Sequence, residues 1–193
     1  HMEQWPEDKK VEYYVKTGLP VFLMQARIVD ENMKDIPKDD KMVGKLLYRS
    51  PFITPGYIWD PEKSDKAWID GWFDTGDLAK WDKEGYLQIV DREKDAVKSG
   101  GEWISSLELE SLISKHPAVS EVAVIGIPHE KWDERPVALI KLKQEYEGKV
   151  DEAELRRHLE GFVPMRMPRW WIPDKFIFVK DIVKTGTGKY DKK

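Results

Sequence analysis

The apolar pattern of this chain changes period once, near Asp91, and that change limits the folds open to it. Before it come short runs rich in β-branched and aromatic residues, each closed by a turn signal. Residues 21–29 end at Asp30-Glu31-Asn32, and residues 43–49 are closed by Ser50-Pro51. Trp72-Phe73, residues 78–81 and residues 86–90 predict three more strands, the last two joined by a Gly-containing hairpin loop at 82–85. Short strands at this spacing predict an antiparallel, barrel-like β subdomain over residues 1–90.

After Asp91 helical spacing appears between the strands. Ser105 and Glu108 have the capping-box arrangement, and Leu109, Leu112 and Ile113 follow on one face. His116-Pro117 ends that helix. Strands are predicted at 119–127, ended by Pro128, and at 137–142. Asp151 and Glu154 cap a second helix that turns Leu155, Leu159 and Phe162 inward, and residues 175–179 form a last strand. The fold class is therefore α+β. A linker at 91–95 leads into a small α+β domain over 96–193, with a mixed or antiparallel sheet flanked by helices.

Composition narrows the function classes. A chain of 193 residues fits one large domain or two small ones, and 40% hydrophobic with 35% charged residues is a globular composition. No apolar run approaches the roughly 20 residues that cross a bilayer. No cysteine is present, which excludes disulfides, thiolate catalysis and Cys-based metal sites. His1-Met2 reads as a cloning remnant, and with no secretory pattern after it the expected compartment is the cytoplasm. A net charge of −4 argues against a general nucleic-acid binder. The tail carries Lys184, Lys189, Lys192 and Lys193 against Asp191, which on charge alone describes a solvated tail. His129 has no second His at metal spacing, and His116 and His158 fall at a helix end and a helix surface. Trp170-Trp171 is read as packing.

Three segments could carry chemistry. In 71–77, Gly-Trp-Phe-Asp-Thr-Gly-Asp, a turn after aromatic residues would let Asp74 and Asp77 bond their own backbone; alternatively the Asp77 carboxylate accepts from two vicinal hydroxyls, as on a ribose. In 91–103, a charged stretch precedes Gly100-Gly101. It is either a linker and a loop, or a hinge followed by a loop that approaches a ligand closely. In 184–189, Lys-Thr-Gly-Thr-Gly-Lys presents a lysine on a Gly/Thr segment. It is not a nucleotide P-loop, whose first Gly would fall at Val183.

Taken in order, Thr75-Gly76-Asp77, Asp91-Arg92-x-Lys94-Asp95 with Gly100-Gly101-Glu102, and Lys184-Thr-x-Thr-Gly-Lys189 resemble the acyl-adenylate-forming superfamily of acyl-CoA synthetases, adenylation domains and luciferase. Residues 98–106, Lys-Ser-Gly-Gly-Glu-Trp-Ile-Ser-Ser, look most like the medium- and long-chain fatty-acyl-CoA synthetases. The resemblance covers the chain from about Gly18 onward. It implies the last β subdomain of a large N-terminal domain up to residue 90, and a small mobile C-terminal domain after the hinge. Asp77 and Arg92 would hold the ribose of ATP and AMP, and Lys94 would be the hinge residue. Gly100, Gly101, Glu102 and Trp103 would line the coenzyme A side, and Lys189 would be the catalytic lysine of adenylation. Lys192 and Lys193, without Gly/Thr support, are expected to matter little.

The family's Ser/Thr/Gly-rich phosphate loop, its acidic neighbour and its fatty-acid tunnel are absent from these residues. The chain is therefore expected to be a fragment, or to work with a second polypeptide, with the Mg2+ site outside it. The implied reaction is AMP-forming ligation of a carboxylic acid, a fatty acid on the local resemblance, to coenzyme A. A homodimer of the full-length enzyme is allowed. A rival of another class is a non-catalytic interaction module using the Trp-rich surface, which leaves the order of the three motifs unexplained. A ligase for a non-fatty acid also stays open, because the acid pocket is not in the chain.

Overall fold

In the computed structural model, which describes residues 2–192, the chain divides into two units, residues 1–94 and 95–193. Lys193 lies outside the described residues.

The first unit holds α1 (Glu7–Tyr14), β1 (Gln25–Val29), β2 (Gly44–Arg49), α2 (Pro61–Ala67), β3 (Trp68–Ile69), β4 (Trp72–Trp81) and β5 (Leu87–Arg92). The strands form one antiparallel sheet in the order β1-β2-β4-β3, with β5 also paired to β4. Alternate residues supply its core: Ile28, Leu46, Ala79 and Leu87 are buried, joined by Ile36 from a loop. Removing such side chains from water contributes about 1.5–3 kcal/mol each.

The two strands predicted at 72–73 and 78–81 are a single strand. The segment read as a turn lies inside β4, at a place where its pairing is irregular. The pairing shifts against β2 between Lys45 and Leu47, and against β5 between Leu78 and Ala79. Gly76 sits in this irregularity with φ +69°, a backbone shape that residues with a Cβ adopt at a cost. Sequence periodicity broke here because Thr75, Gly76 and Asp77 interrupt the apolar alternation without ending the strand. Neither helix of this unit was expected from periodicity. α1 buries no residue and so has no apolar stripe to read. α2 did carry a start signal, since the Asp60 side chain accepts from the Lys63 N–H and Pro61 opens the first turn.

The second unit holds β6 (Val97–Ser99), β7 (Glu102–Ile104), α3 (Ser106–Ser114), β8 (Val119–His129), β9 (Asp133–Leu142), α4 (Glu152–Glu160) and β10 (Lys175–Phe178). The sheet order is β10-β9-β6-β7, with β8 paired along β9. β10 runs parallel to β9 and the other pairings are antiparallel, so the sheet is mixed. Ser105 caps α3 and Asp151 caps α4, each accepting from the backbone N–H three residues on. Leu109 and Ile113 of α3, Leu155 and Leu159 of α4, and Val124 and Ile140 of the sheet share one core. Phe162 packs against that core from beyond the end of α4.

Several local expectations change. β8 runs through Pro128 to His129, which an edge strand tolerates because one side of it needs no ladder bonds. His116 follows the end of α3 as expected, whereas His158 is half-buried and not on an open helix surface. His116 is 8% exposed and its ring meets His158 edge-on at 5.1 Å, while His158 Nε2 bonds the Leu112 carbonyl at 2.9 Å. They fill the seam between α3 and α4. Trp171 packs on the core as expected, but Trp170 remains 38% exposed. Among the described residues no helix is long and apolar enough to cross a membrane.

Candidate functional site

In the first unit the strand pairing brings Asp77 and Arg92 together, as directly opposed residues of β4 and β5. Arg92 Nε lies 3.0 Å from Asp77 Oδ1. The surrounding backbone is held by the motif's own side chains. Asp74 Oδ1 accepts from the Gly76 N–H at 2.9 Å, and Thr75 Oγ1 accepts from the Asp77 N–H at 3.1 Å while donating to the Leu46 carbonyl at 2.9 Å. Asp74 thus serves the backbone, and Asp77 keeps its carboxylate for other partners. With one oxygen on Arg92, lone pairs remain that can accept from hydroxyls. Tyr48 of β2 faces this carboxylate; burial first and the Asp77 charge second raise its phenol pKa above the ordinary value. Sequence reasoning missed Tyr48, which the β2–β4 register sets opposite Phe73, within range of the Asp77 charge. Lys94 is exposed and is the last residue of this unit. Just before it, the Glu93 N–H bonds the Gly76 carbonyl at 3.0 Å and the Glu93 side chain pairs with Lys45. β5 itself continues through Arg92, because that residue keeps its register with Asp77.

In the second unit the Gly100-Gly101 segment is not an open loop but the turn of the β6–β7 hairpin. Both glycines have positive φ, +61° and +83°. Gly100 is needed for a second reason: a Cβ there would come 3.1 Å from Cε3 of Trp132. The Gly100 N–H also bonds the Trp132 carbonyl at 2.9 Å. Trp132 was not expected near this turn; its position depends on the β8–β9 connection meeting β6. Glu102 is exposed on β7, and Trp103 pairs across the hairpin with Lys98. Arg135 of β9 holds the turn end of the hairpin, bonding Ser99 Oγ at 3.1 Å and Asp174 at 2.9 Å.

The tail of the same unit forms a tight hairpin rather than a solvated strand of chain. Lys184 and Tyr190 are bridged, the Thr185 N–H bonds the Lys189 carbonyl at 2.7 Å, and the Asp191 N–H bonds the Val183 carbonyl at 2.9 Å. Thr185 Oγ1 and Thr187 Oγ1 lie 3.0 Å apart inside the loop. The three described lysines are treated unequally. Lys184 Nζ lies 2.6 Å from Glu121. Lys184 first and Lys141 second hold the Glu121 carboxyl below its ordinary pKa. Lys192 Nζ lies 2.7 Å from Glu110, with both side chains nearly buried. Lys192 is therefore not the solvated charge that the tail's composition described, but part of an enclosed ion pair. Lys189 is exposed at the turn, and among the described residues its ammonium has no carboxylate partner. Also among the described residues, no group of three or more His, Cys, Asp or Glu could hold a metal ion.

On the first unit, the Asp77 carboxylate beside Arg92 can accept from hydroxyl groups; on the second, taken by itself, the exposed Lys189 can meet an anion. Residues 108–189 match the AMP-binding enzyme C-terminal domain. The chain is similar to a long-chain-fatty-acid–CoA ligase of Thermus thermophilus, 43% identical over 196 residues, a match covering 100% of this chain and 35% of that one. It is equally similar, at 43%, to a 3-methylmercaptopropionyl-CoA ligase of Ruegeria lacuscaerulensis, across 89% of this chain and 30% of the relative. Among solved structures it resembles the Bacillus subtilis o-succinylbenzoate CoA synthetase in complex with its acyl-adenylate intermediate, with a TM-score of 0.79, 26% identity, and coverage of 97% of this chain and 37% of that one. The chain spans about a third of the length of these relatives.

Proposed function

We propose that this chain is part of an AMP-forming acid–thiol ligase that joins a fatty acid to coenzyme A through an acyl-adenylate. The observation that carries the reading is the Lys189 turn: a lysine held out on a closed Thr/Gly hairpin while the tail's other described lysines are paired. In the first half-reaction a carboxylate approaches the α-phosphate of ATP, and the two anions repel. A cation between them offsets this, a single charge pair at 4 Å and an effective dielectric of 20 being worth about 4 kcal/mol. Lys189 supplies that cation. Asp77 and Arg92 hold the ribose hydroxyls, which orients the nucleotide for attack at its α-phosphate. The Gly100 turn, with Glu102 and Trp103, serves the second half-reaction, in which the thiol of coenzyme A attacks the adenylate and AMP leaves. Turning about Lys94 exchanges the two roles of the small domain.

On this reading the triphosphate loop, the acid pocket and the Mg2+ site lie outside these residues. Bound there, the metal would supply charge neutralisation to the pyrophosphate, and no described residue of this chain would hold it. The proposed compartment is the cytoplasm, which provides ATP and coenzyme A. Fatty acid is preferred on the 98–106 stretch and the Thermus relative, whereas the equally similar 3-methylmercaptopropionyl-CoA ligase favours a short thioether acid. Both are tested by one experiment, acid-dependent release of AMP by the full-length protein across a series of acids. A maximum among medium or long chains supports the fatty-acid reading. A maximum among short acids replaces it with the second, and no AMP release with any acid overturns the enzyme assignment.

A further inference from the structure

The Lys189 hairpin closes through its own backbone bonds, but those bonds do not fix where the hairpin sits on the domain. Two ion pairs do. On the incoming leg, Lys184 reaches Glu121 of β8; on the outgoing leg, Lys192 reaches Glu110 of α3. They are not equivalent. The Lys184 side chain is 43% exposed, whereas Lys192 and Glu110 are 10% and 11% exposed. Lys192 Nζ also donates to Ser106 Oγ at 2.6 Å, and Glu110 Oε1 accepts from the Val124 N–H at 2.8 Å. One carboxylate thus ties the tail to α3 and to β8 together. An ion pair this enclosed gives up hydration on both partners, so it is weak evidence of a gain in stability and better evidence of a fixed geometry.

We propose that Lys192, held by Glu110 and Ser106, is a positioning residue for Lys189. Only three positions separate the anchored ammonium from the exposed one, and the Asp191–Val183 backbone bond lies between them. Releasing Lys192 frees the outgoing leg and lets the Lys189 turn move away from its reacting position. The proposal rests on the adenylation role given to Lys189.

The test uses the full-length enzyme with Lys192→Met, Lys192→Arg, Glu110→Gln, Lys189→Ala and the Lys189→Ala/Lys192→Met double variant. Adenylation is read as acid-dependent ATP–pyrophosphate exchange, and thioester formation from pre-made acyl-adenylate and coenzyme A. Misplacing a reacting group by about 1 Å can cost on the order of a hundredfold, so Lys192→Met should lower exchange roughly ten- to a hundredfold. Thioester formation should stay close to the parent's, which also shows that the variant folds. Glu110→Gln keeps an acceptor for the Val124 N–H but removes the charge that holds Lys192, and should give the same selective loss. Lys192→Arg should recover most of the exchange rate. The double variant should be no slower than Lys189→Ala, because Lys192 acts only through Lys189. Hydrogen exchange at the Gly188 and Asp191 amides should speed up in Lys192→Met. If Lys189→Ala slows exchange and Lys192→Met does not, or if the two losses multiply, the positioning role is wrong and the Lys189 role survives. If Lys189→Ala itself leaves exchange intact, both fall.

Discussion

Asp77 and Arg92 stand 3.0 Å apart with the arginine side chain 55% exposed, and a pair so open to water contributes about 0–1 kcal/mol to stability. Stability therefore gives little account of the pair, and the proposed ribose-binding role can be tested apart from folding. Asp77→Asn should leave the fold intact, with a melting temperature near the parent's, and weaken AMP binding to the full-length enzyme. A hydrogen bond to a charged group is worth about 1.5–3 kcal/mol, so the dissociation constant measured by calorimetry should rise roughly ten- to a hundredfold. Unchanged AMP affinity would remove Asp77 from the nucleotide site. Both residues were named from the sequence through the family resemblance of their motifs; that they face each other comes from the β4–β5 register. Tyr48, Trp132 and the Glu110–Lys192 pair were not legible. Each meets its partner through strand register or tertiary packing, across separations that no local pattern reports.

Elements were read most easily where burial is one-sided. α4 was visible from its Asp151 cap and from Leu155 and Leu159, and β9 from the apolar stretch at 137–140. α1, which buries nothing, gave no signal, and β4 was split in two because its polar motif lies within the strand. The β6–β7 hairpin was read as a loop, since three-residue strands are too short to show alternation. That hairpin carries a prediction. Gly100→Ala places a Cβ 3.1 Å from the Trp132 ring at φ +61°. The left-handed backbone alone costs about 1–2 kcal/mol, seen as a lower denaturation midpoint. If this turn serves the second half-reaction, thioester formation should fall further than ATP–pyrophosphate exchange. An equal fall in both would make the turn a structural element only.

For the whole molecule, the chain's division falls after Lys94, where an exposed residue leaves a strand that is bonded up to Glu93. If the small domain must take two orientations about this point, fixing φ near −65° should favour one of them. Lys94→Pro in the full-length enzyme should thus depress the two half-reactions unequally; equal loss, or none, in both would move the hinge elsewhere. The central claim is that one protein uses different faces of its small domain for the two steps, with Lys189 reserved for the first. The most direct measurement assays full-length Lys189→Ala twice, once with acid and ATP for adenylate formation, once with pre-made acyl-adenylate and coenzyme A. Loss of one preorganised donor costs about 2.7–4 kcal/mol, so adenylate formation should drop on the order of a hundred- to a thousandfold while thioester formation keeps most of its rate. An equal fall in both steps, or a fall in neither, would contradict the assignment.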